Sequence, residues 1–191
     1  MSIARVGFIP SREPSVGWVK NFPVNALAKE VAKGDAVTML NGSVLAASAG
    51  TNPTKQGFGV VLAVYTTAGR PLTFQNTKYI ASGQVGRADV CFDPNQTYIV
   101  QCVTSVGPSN IGTNVAIDVS AANATTGLSG MSVDILASAS INELFKIINL
   151  APNEPGVLTG SYTQGVTGGG ANNGVEVKWN YHFLRAATAN I

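Results

Sequence analysis

The sequence predicts an all-β protein, and three observations support this. Short apolar runs rich in β-branched residues recur between turn signals, and no helical period is sustained along the chain. Gly accounts for 21 of the 191 residues, which is typical of a chain with many tight turns. Charged residues make up 12% of the chain, so hydroxyl and amide groups must supply most of the polar surface. We expect a small β-barrel or β-sandwich with an extended N-terminal arm and long Gly/Asn-rich loops.

The chain divides into three predicted parts. Residues 1–30 contain three prolines and the aromatic residues Trp18 and Phe22 without a regular period, so they predict an extended arm, followed by a short helical turn near residues 25–31. The apolar side chains of this arm can pack on the chain's own body or on a neighbouring subunit. Residues 31–106 predict a small barrel-like module, and residues 107–191 a second β module.

The first module begins with a predicted hairpin. The runs 36–40 and 43–47 flank Asn41-Gly42, and this dipeptide favours the type I′ turn because both positions accept a positive φ. The next run, 58–65, is apolar throughout and predicts a buried strand, while the adjacent Gly57 and Gly59 suggest a bulge or a close backbone approach. Further strands are predicted at three places: 78–81, 86–92 and 98–104.

The second module has strands of alternating character. Strands are predicted at 114–119 and 131–136, whereas 140–150 is compatible with a capped helical turn followed by a strand. Residues 151–173 are rich in Gly and Asn, so they predict a long loop with a function or an ordering partner. The last predicted strand alternates over residues 175–183. Its apolar face comprises Val175, Val177, Trp179, Tyr181 and Phe183, and its polar face Glu176, Lys178, Asn180 and His182.

The chemically reactive residues do not form a recognisable reaction centre. His182 is the one histidine, and its place on a polar strand face predicts a surface or interface residue that makes a hydrogen bond. Asp89, Asp93 and Asp118 can approach one another, but they lack the spacing of a calcium loop. The run 168–170 lacks the Lys-Ser/Thr and the helix of a phosphate loop. We therefore expect no enzymatic activity, no metal and no cofactor.

The two cysteines flank a predicted turn at residues 93–96. If this turn joins two paired strands, Cys91 lies opposite Tyr98 and Cys102 lies opposite Arg87, so the sulfurs are not cross-strand neighbours. We expect two free, half-buried thiols, with a disulfide as the alternative.

Charge and hydropathy exclude several kinds of partner. The net charge is +2 without a basic run, which argues against direct binding of nucleic acid. No apolar run reaches the roughly 20 residues of a membrane span, and the N-terminus lacks a signal-peptide core, so we expect synthesis in the cytoplasm. A surface with few charges can be buried at a permanent protein interface at low desolvation cost. The alternative is a low-charge protein without a special partner.

Two passages resemble known virion proteins. The first consists of Val31-Ala32-Lys33-Gly34-Asp35-Ala36-Val37 with the Asn41-Gly42 hairpin, Gly57-Phe58-Gly59-Val60-Val61, and Ala81-Ser82-Gly83-Gln84-Val85-Gly86-Arg87-Ala88. It resembles the small β-barrel of tailed-bacteriophage capsid decoration, or cement, proteins. The second consists of 145–150, the Gly/Asn loop and 175–184, and it is similar to the C-terminal portion of phage virion proteins.

The resemblance implies a structural role in a virion. It implies binding to the outer surface of an icosahedral phage head as a homotrimer that bridges major capsid protein subunits, after synthesis in the host cytoplasm. On this view Trp18, Phe22 and the 151–173 loop, including Asn172 and Asn173, contact the capsid or neighbouring subunits. The alternatives are a head-fibre or tail protein of a phage virion, or a glycan-binding β-sandwich module.

Overall fold

A computed structural model shows that the protein is all-β, as predicted. It describes residues 7–25, 29–48, 57–72, 78–135, 143–151 and 174–184. The described part contains eleven strands, which are numbered in chain order: β1 (Ile9–Pro10), β2 (Val19–Val24), β3 (Ala36–Leu40), β4 (Ser43–Ala46), β5 (Gly57–Tyr65), β6 (Gly86–Cys91), β7 (Thr97–Gln101), β8 (Asn114–Asp118), β9 (Ser132–Asp134), β10 (Phe145–Leu150) and β11 (Gly174–Trp179). Short 3-10 turns occur at Val16–Trp18 and Pro108–Asn110. This part of the chain contains no helix with the length and apolar character needed to cross a membrane.

Five strands close into a barrel in the order β2-β4-β3-β5-β6. The β3–β4 hairpin is confirmed, with Leu40 paired to Ser43 and positive φ angles of 50° at Asn41 and 77° at Gly42. Both angles fit the predicted type I′ turn. The barrel encloses its own apolar cluster, which includes Val37, Val44, Phe58, Val61, Val64 and Val90.

The two glycines near the start of β5 permit close packing. A Cβ atom on Gly57 would lie 2.2 Å from the Trp179 ring, and one on Gly59 would lie 2.4 Å from the carbonyl oxygen of Cys91. The pairing of β3 with β5 also shifts register between Val37 and Thr38. The predicted bulge and close approach are therefore both present.

The other six strands form a sheet in the order β1-β7-β11-β10-β8-β9. The chain after β7 approaches β9 at the other end of this strand order. Cys102 makes a parallel bridge to Val133, and the Val103 N–H donates to the Val133 carbonyl at 2.9 Å. The sheet encloses the larger core cluster, which includes Phe8, Tyr98, Val115, Met131, Phe145, Ile147, Val177 and Trp179. Ala36, Ala47 and Val60 from the barrel side join this cluster, so it extends from the sheet to the barrel beside the barrel's own cluster.

Part of the predicted extended arm, residues 1–30, consists of strands that pair with the sheet and the barrel. Residues 9–10 pair with β7, and residues 19–24 pair with β6 along their whole length and with β4 at Val24. Phe22 and Val24 pack against the barrel interior, while Pro23 lacks an N–H and suits a strand with little pairing on its other side. The described residues of the predicted helical turn, 25 and 29–31, are not helical.

Two further expectations about the first module were wrong. Residues 78–81 form only a bridge between Ile80 and Val31 rather than a strand. The turn at residues 93–96 does not join a hairpin, since β6 pairs within the barrel and β7 within the sheet. The chain crosses from barrel to sheet here, and β7 (97–101) joins the strands that follow residue 107.

The last strand is shorter than predicted. It ends at Trp179, and bends at Asn180 and Tyr181 reverse the alternation beyond that point. His182 is consequently fully buried, whereas Phe183 is 50% exposed. If the strand is assumed to continue to residue 183, the alternation predicts the opposite, with His182 on the polar face and Phe183 on the apolar face. Residues 145–150 form a strand, which resolves the ambiguity at 140–150 for that part.

Candidate functional site

Five aromatic rings gather at one end of the barrel. The Trp18 and Phe92 ring centroids lie 5.3 Å apart, and Phe22 lies 5.1 Å from Phe58 and 6.0 Å from Phe92. Phe58 stacks on Phe92 at 5.7 Å and meets Phe183 at 6.2 Å. Edge and stacked arrangements at these separations are attractive. We call this group the aromatic end.

Strand register explains why these residues meet. β6 reaches Cys91 where Val19 of β2 and Val60 of β5 lie opposite it, so Trp18, Phe92 and the start of β5 share one end. The Phe92 N–H donates to the Trp18 carbonyl at 3.0 Å and continues the ladder by one residue. β3 runs antiparallel to β5, which directs its turn toward this same end. These segments are far apart in the sequence, so local sequence patterns do not predict that their aromatic rings meet.

The aromatic end carries exposed apolar side chains. Val16, in the 3-10 turn that leads to Trp18, is 90% exposed, and Phe183 is 50% exposed. Leu184 and Leu40 are also exposed, whereas Phe58 is buried beneath its neighbours. Apolar surface grouped in this way is typical of an interaction site rather than of scattered surface residues.

One cation accompanies the aromatic rings. The Lys20 ammonium lies 5.8 Å from the centroid of the Phe92 ring, within the range of a cation–π interaction. Lys20 is exposed, so its charge is also available to a partner.

His182 has a structural position beneath the aromatic end. Its Nδ1 accepts the Leu184 N–H at 3.1 Å, which leaves Nε2 as the protonated nitrogen that donates to the Phe58 carbonyl at 2.8 Å. The Gly57 carbonyl accepts the Phe183 N–H at 2.8 Å. These bonds hold the chain after β11 against the start of β5, so His182 is not the surface residue expected from the alternation.

The outer barrel wall carries a hydrogen-bonded polar group. The Tyr65 hydroxyl donates to Asp89 Oδ2 at 2.5 Å, and Asn21 Nδ2 donates to Asp89 Oδ1 at 2.8 Å. Arg87 Nε donates to the Asn21 side-chain oxygen. The bond to Asp89 raises the pKa of Tyr65 above its ordinary value, because it stabilises the protonated phenol. The arrangement joins β2, β5 and β6 and has no free nucleophile.

Asp35 occupies the junction between barrel and sheet. Its Oδ2 accepts the Ala32 N–H at 2.8 Å, and the Ser129 side chain also bonds to the carboxyl. Burial, with a smaller effect of the Glu30 charge, raises the pKa of Asp35 to about 7. A cavity of about 320 Å³ lies beside it and is also lined by Lys29 and Met131. The sequence did not indicate a buried carboxyl here, and Asp35 was named only as part of the passage 31–37 that resembles decoration proteins.

The other candidate residues have separate structural partners. Asp93 Oδ1 accepts the Asn95 N–H at 2.8 Å within its turn, and Asp118 Oδ2 accepts the Ser132 hydroxyl at 3.2 Å. The described ranges contain no group of three or more His, Cys, Asp or Glu side chains suited to a metal ion. Residues 152–173 of the predicted loop lie outside the described residues. This range includes the run 168–170 and the candidates Asn172 and Asn173.

Cys91 and Cys102 are free and fully buried. Burial raises the pKa of both thiols above its ordinary value, which disfavours the reactive thiolate. The Cys91 and Tyr98 side chains lie close together even though their strands do not pair. Both cysteines therefore belong to the packed interior.

Sequence reasoning identified Trp18 and Phe22 as candidates and missed the other members of the aromatic end. Phe92 continues the inward alternation of Ala88 and Val90 along β6, and this was a usable signal. Phe183 gave no such signal, since the bend that exposes it lies outside the strand pattern.

No known protein family, curated protein or solved structure matches the chain.

Proposed function

We propose that the protein is a non-enzymatic structural protein that binds an assembled protein lattice through its aromatic end. The observation that carries the proposal is the group of exposed apolar side chains around Trp18 and Phe183. Aromatic residues on a firm backbone bury a large area with little loss of conformational entropy, so they are favoured at the centres of protein interfaces.

The lattice we propose is the outer surface of an icosahedral phage head, where the protein bridges major capsid protein subunits as a trimer. This part rests on the resemblance of 31–37 and 57–61 to capsid decoration proteins. A protein that binds only the assembled shell stabilises it by mass action, and many copies add their contributions. A charged fraction of 12% suits such a permanent contact.

The test uses exposed apolar residues inside and outside the aromatic end. Val16→Ser and Phe183→Ser alter the proposed contact, while Val85→Ser and Ile111→Ser change side chains that are 58% and 47% exposed elsewhere. Each variant is added to expanded heads that lack the protein, and bound copies are counted after sedimentation. We expect the first two variants to lose at least about 10-fold in affinity, since each removes apolar contact area.

Equal occupancy of all four variants would contradict a contact through the aromatic end. Point variants are preferable to deletion of residues 1–22, because residues 19–22 belong to barrel strand β2 and their loss would disrupt the fold.

A further inference from the structure

Two lysines face each other across the six-stranded sheet. Lys146 of β10 and Lys178 of β11 are directly paired in register. Cβ atoms of directly opposed residues in an antiparallel sheet lie about 4.5–5.5 Å apart, and like charges at such positions repel each other. The chain has only 12 Lys and Arg residues in 191, so this pair concentrates a scarce charge.

Neither ammonium group is neutralised within the described part of the protein. No hydrogen bond or ion pair engages Lys146 or Lys178 there. Glu176 shares this sheet face but pairs with Asn149 and Ile99 one step along the strands, and it forms no ion pair with either lysine. Among the described residues, no direct contact therefore compensates the repulsion between the two lysines.

The neighbours of the pair complete a polar row across four strands. Lys146 also pairs with Asn114 of β8, and Lys178 pairs with Thr97 of β7. Lys178 is exposed, while the other three are partly exposed. The opposite face of the same strands contributes Phe145 and Trp179 to the core, so the strands that carry the row are packed against buried aromatic rings. A ligand thus meets two lysines that are direct neighbours across the sheet, while the Thr97 hydroxyl is hydrogen-bonded to the Ser11 hydroxyl.

We propose that this row, the lysine row, is a docking surface for a carboxylate-rich segment of a partner protein. Charge complementarity supports this occupant, because a single Asp or Glu carboxylate can lie between the two ammonium groups and replace their repulsion by two attractions. A nucleic acid is a poorer fit, since two cations do not form the long positive track that a phosphate backbone requires. The lysine row shares no residue with the aromatic end, and this inference does not depend on the proposed function.

The test measures binding of fluorescently labelled poly-L-glutamate to the full chain by anisotropy in low salt. Lys146→Gln and Lys178→Gln are compared with Lys33→Gln, a matched control at an exposed lysine whose backbone carbonyl alone bonds to Ser129. We expect each row variant to weaken binding roughly five-fold, with the control within about two-fold of the wild type. Binding should also weaken as salt is added.

Charge reversal separates loss of the surface from loss of the fold. Lys146→Glu creates a Glu–Lys pair across β10 and β11, so the melting temperature should rise by about 1 to 4 °C while binding is lost. Equal losses in the row variants and in Lys33→Gln would overturn the proposal, because they would indicate a general charge effect. Tighter binding of inorganic phosphate than of glutamate at the row would overturn the choice of a carboxylate partner.

Discussion

The imidazole Nε2 of His182 lies 2.8 Å from the carbonyl oxygen of Phe58 and donates a hydrogen bond to it across 124 residues of sequence. This bond fastens the chain after β11 to the first strand residues of β5, and so connects the sheet to the barrel. Phe58 in turn supports Phe22, Phe92 and Phe183 at the aromatic end. The one histidine of the chain is therefore buried next to the proposed contact surface and helps to hold Phe58 in place.

Replacement of His182 by Ala should destabilise the protein by about 2–4 kcal/mol. The change leaves the Phe58 carbonyl and the Leu184 N–H without their present partner and opens space beside Trp179. Urea denaturation followed by Trp fluorescence measures the effect. A loss below about 0.5 kcal/mol would contradict the structural role of this residue.

Stability should fall as pH rises from about 4 to about 7, because of Asp35. Its pKa is raised by burial from 3.8 to about 7, so the unfolded chain loses this proton at a lower pH than the folded chain. The contribution to stability is fully present below about pH 4, decreases as pH rises, and levels off above about pH 7. A shift of this size corresponds to about 4 kcal/mol.

Asp35→Asn provides the control for that pH dependence. The amide keeps an oxygen for the Ala32 N–H and does not titrate. Chemical denaturation between pH 4 and 8 should therefore give a flatter stability profile for this variant than for the wild type. Identical slopes in the two proteins would show that other groups cause the dependence.

Gly57→Ala should destabilise the protein by at least about 2 kcal/mol. The new Cβ would lie 2.2 Å from the fully buried Trp179 ring, and the core must shift to accept it. Gly107→Ala is the matched control, since no atom lies within 4 Å of its added Cβ. Thermal melts of both variants test the difference, and equal melting temperatures would argue against this close approach.

The two thiols should react with a disulfide reagent such as DTNB only when the protein opens. Cys91 and Cys102 are fully buried, and burial raises the pKa of each thiol. We expect slow labelling of the native protein at pH 7.5 and rapid labelling of two thiols per chain in urea. Rapid native labelling would contradict the packing around these side chains.

Local sequence signals predicted the elements that depend on neighbours in the chain. The β3–β4 hairpin follows from Asn41-Gly42, and the close packing at the start of β5 follows from Gly57 and Gly59, because backbone sterics act over a few residues. β2 was missed because Pro14 and Pro23 interrupt the pattern, and its pairing with β6 spans more than 60 residues.

The candidate site was predictable only in part for the same reason. Trp18 and Phe22 were identifiable as aromatic residues that require burial or a partner. Their neighbours Phe58, Phe92 and Phe183 come from three distant segments, which only the barrel register brings together. The bend after Trp179 reversed the expected faces of His182 and Phe183, since an alternating pattern does not reveal where a strand ends.

A cryo-EM reconstruction of the native particle tests the central claim most directly. We expect three-fold clusters of this fold on the outer surface of the head, with Trp18 and Phe183 of the aromatic end facing the shell. Density for the protein on the tail, or on the head with the aromatic end turned to solvent, would contradict it.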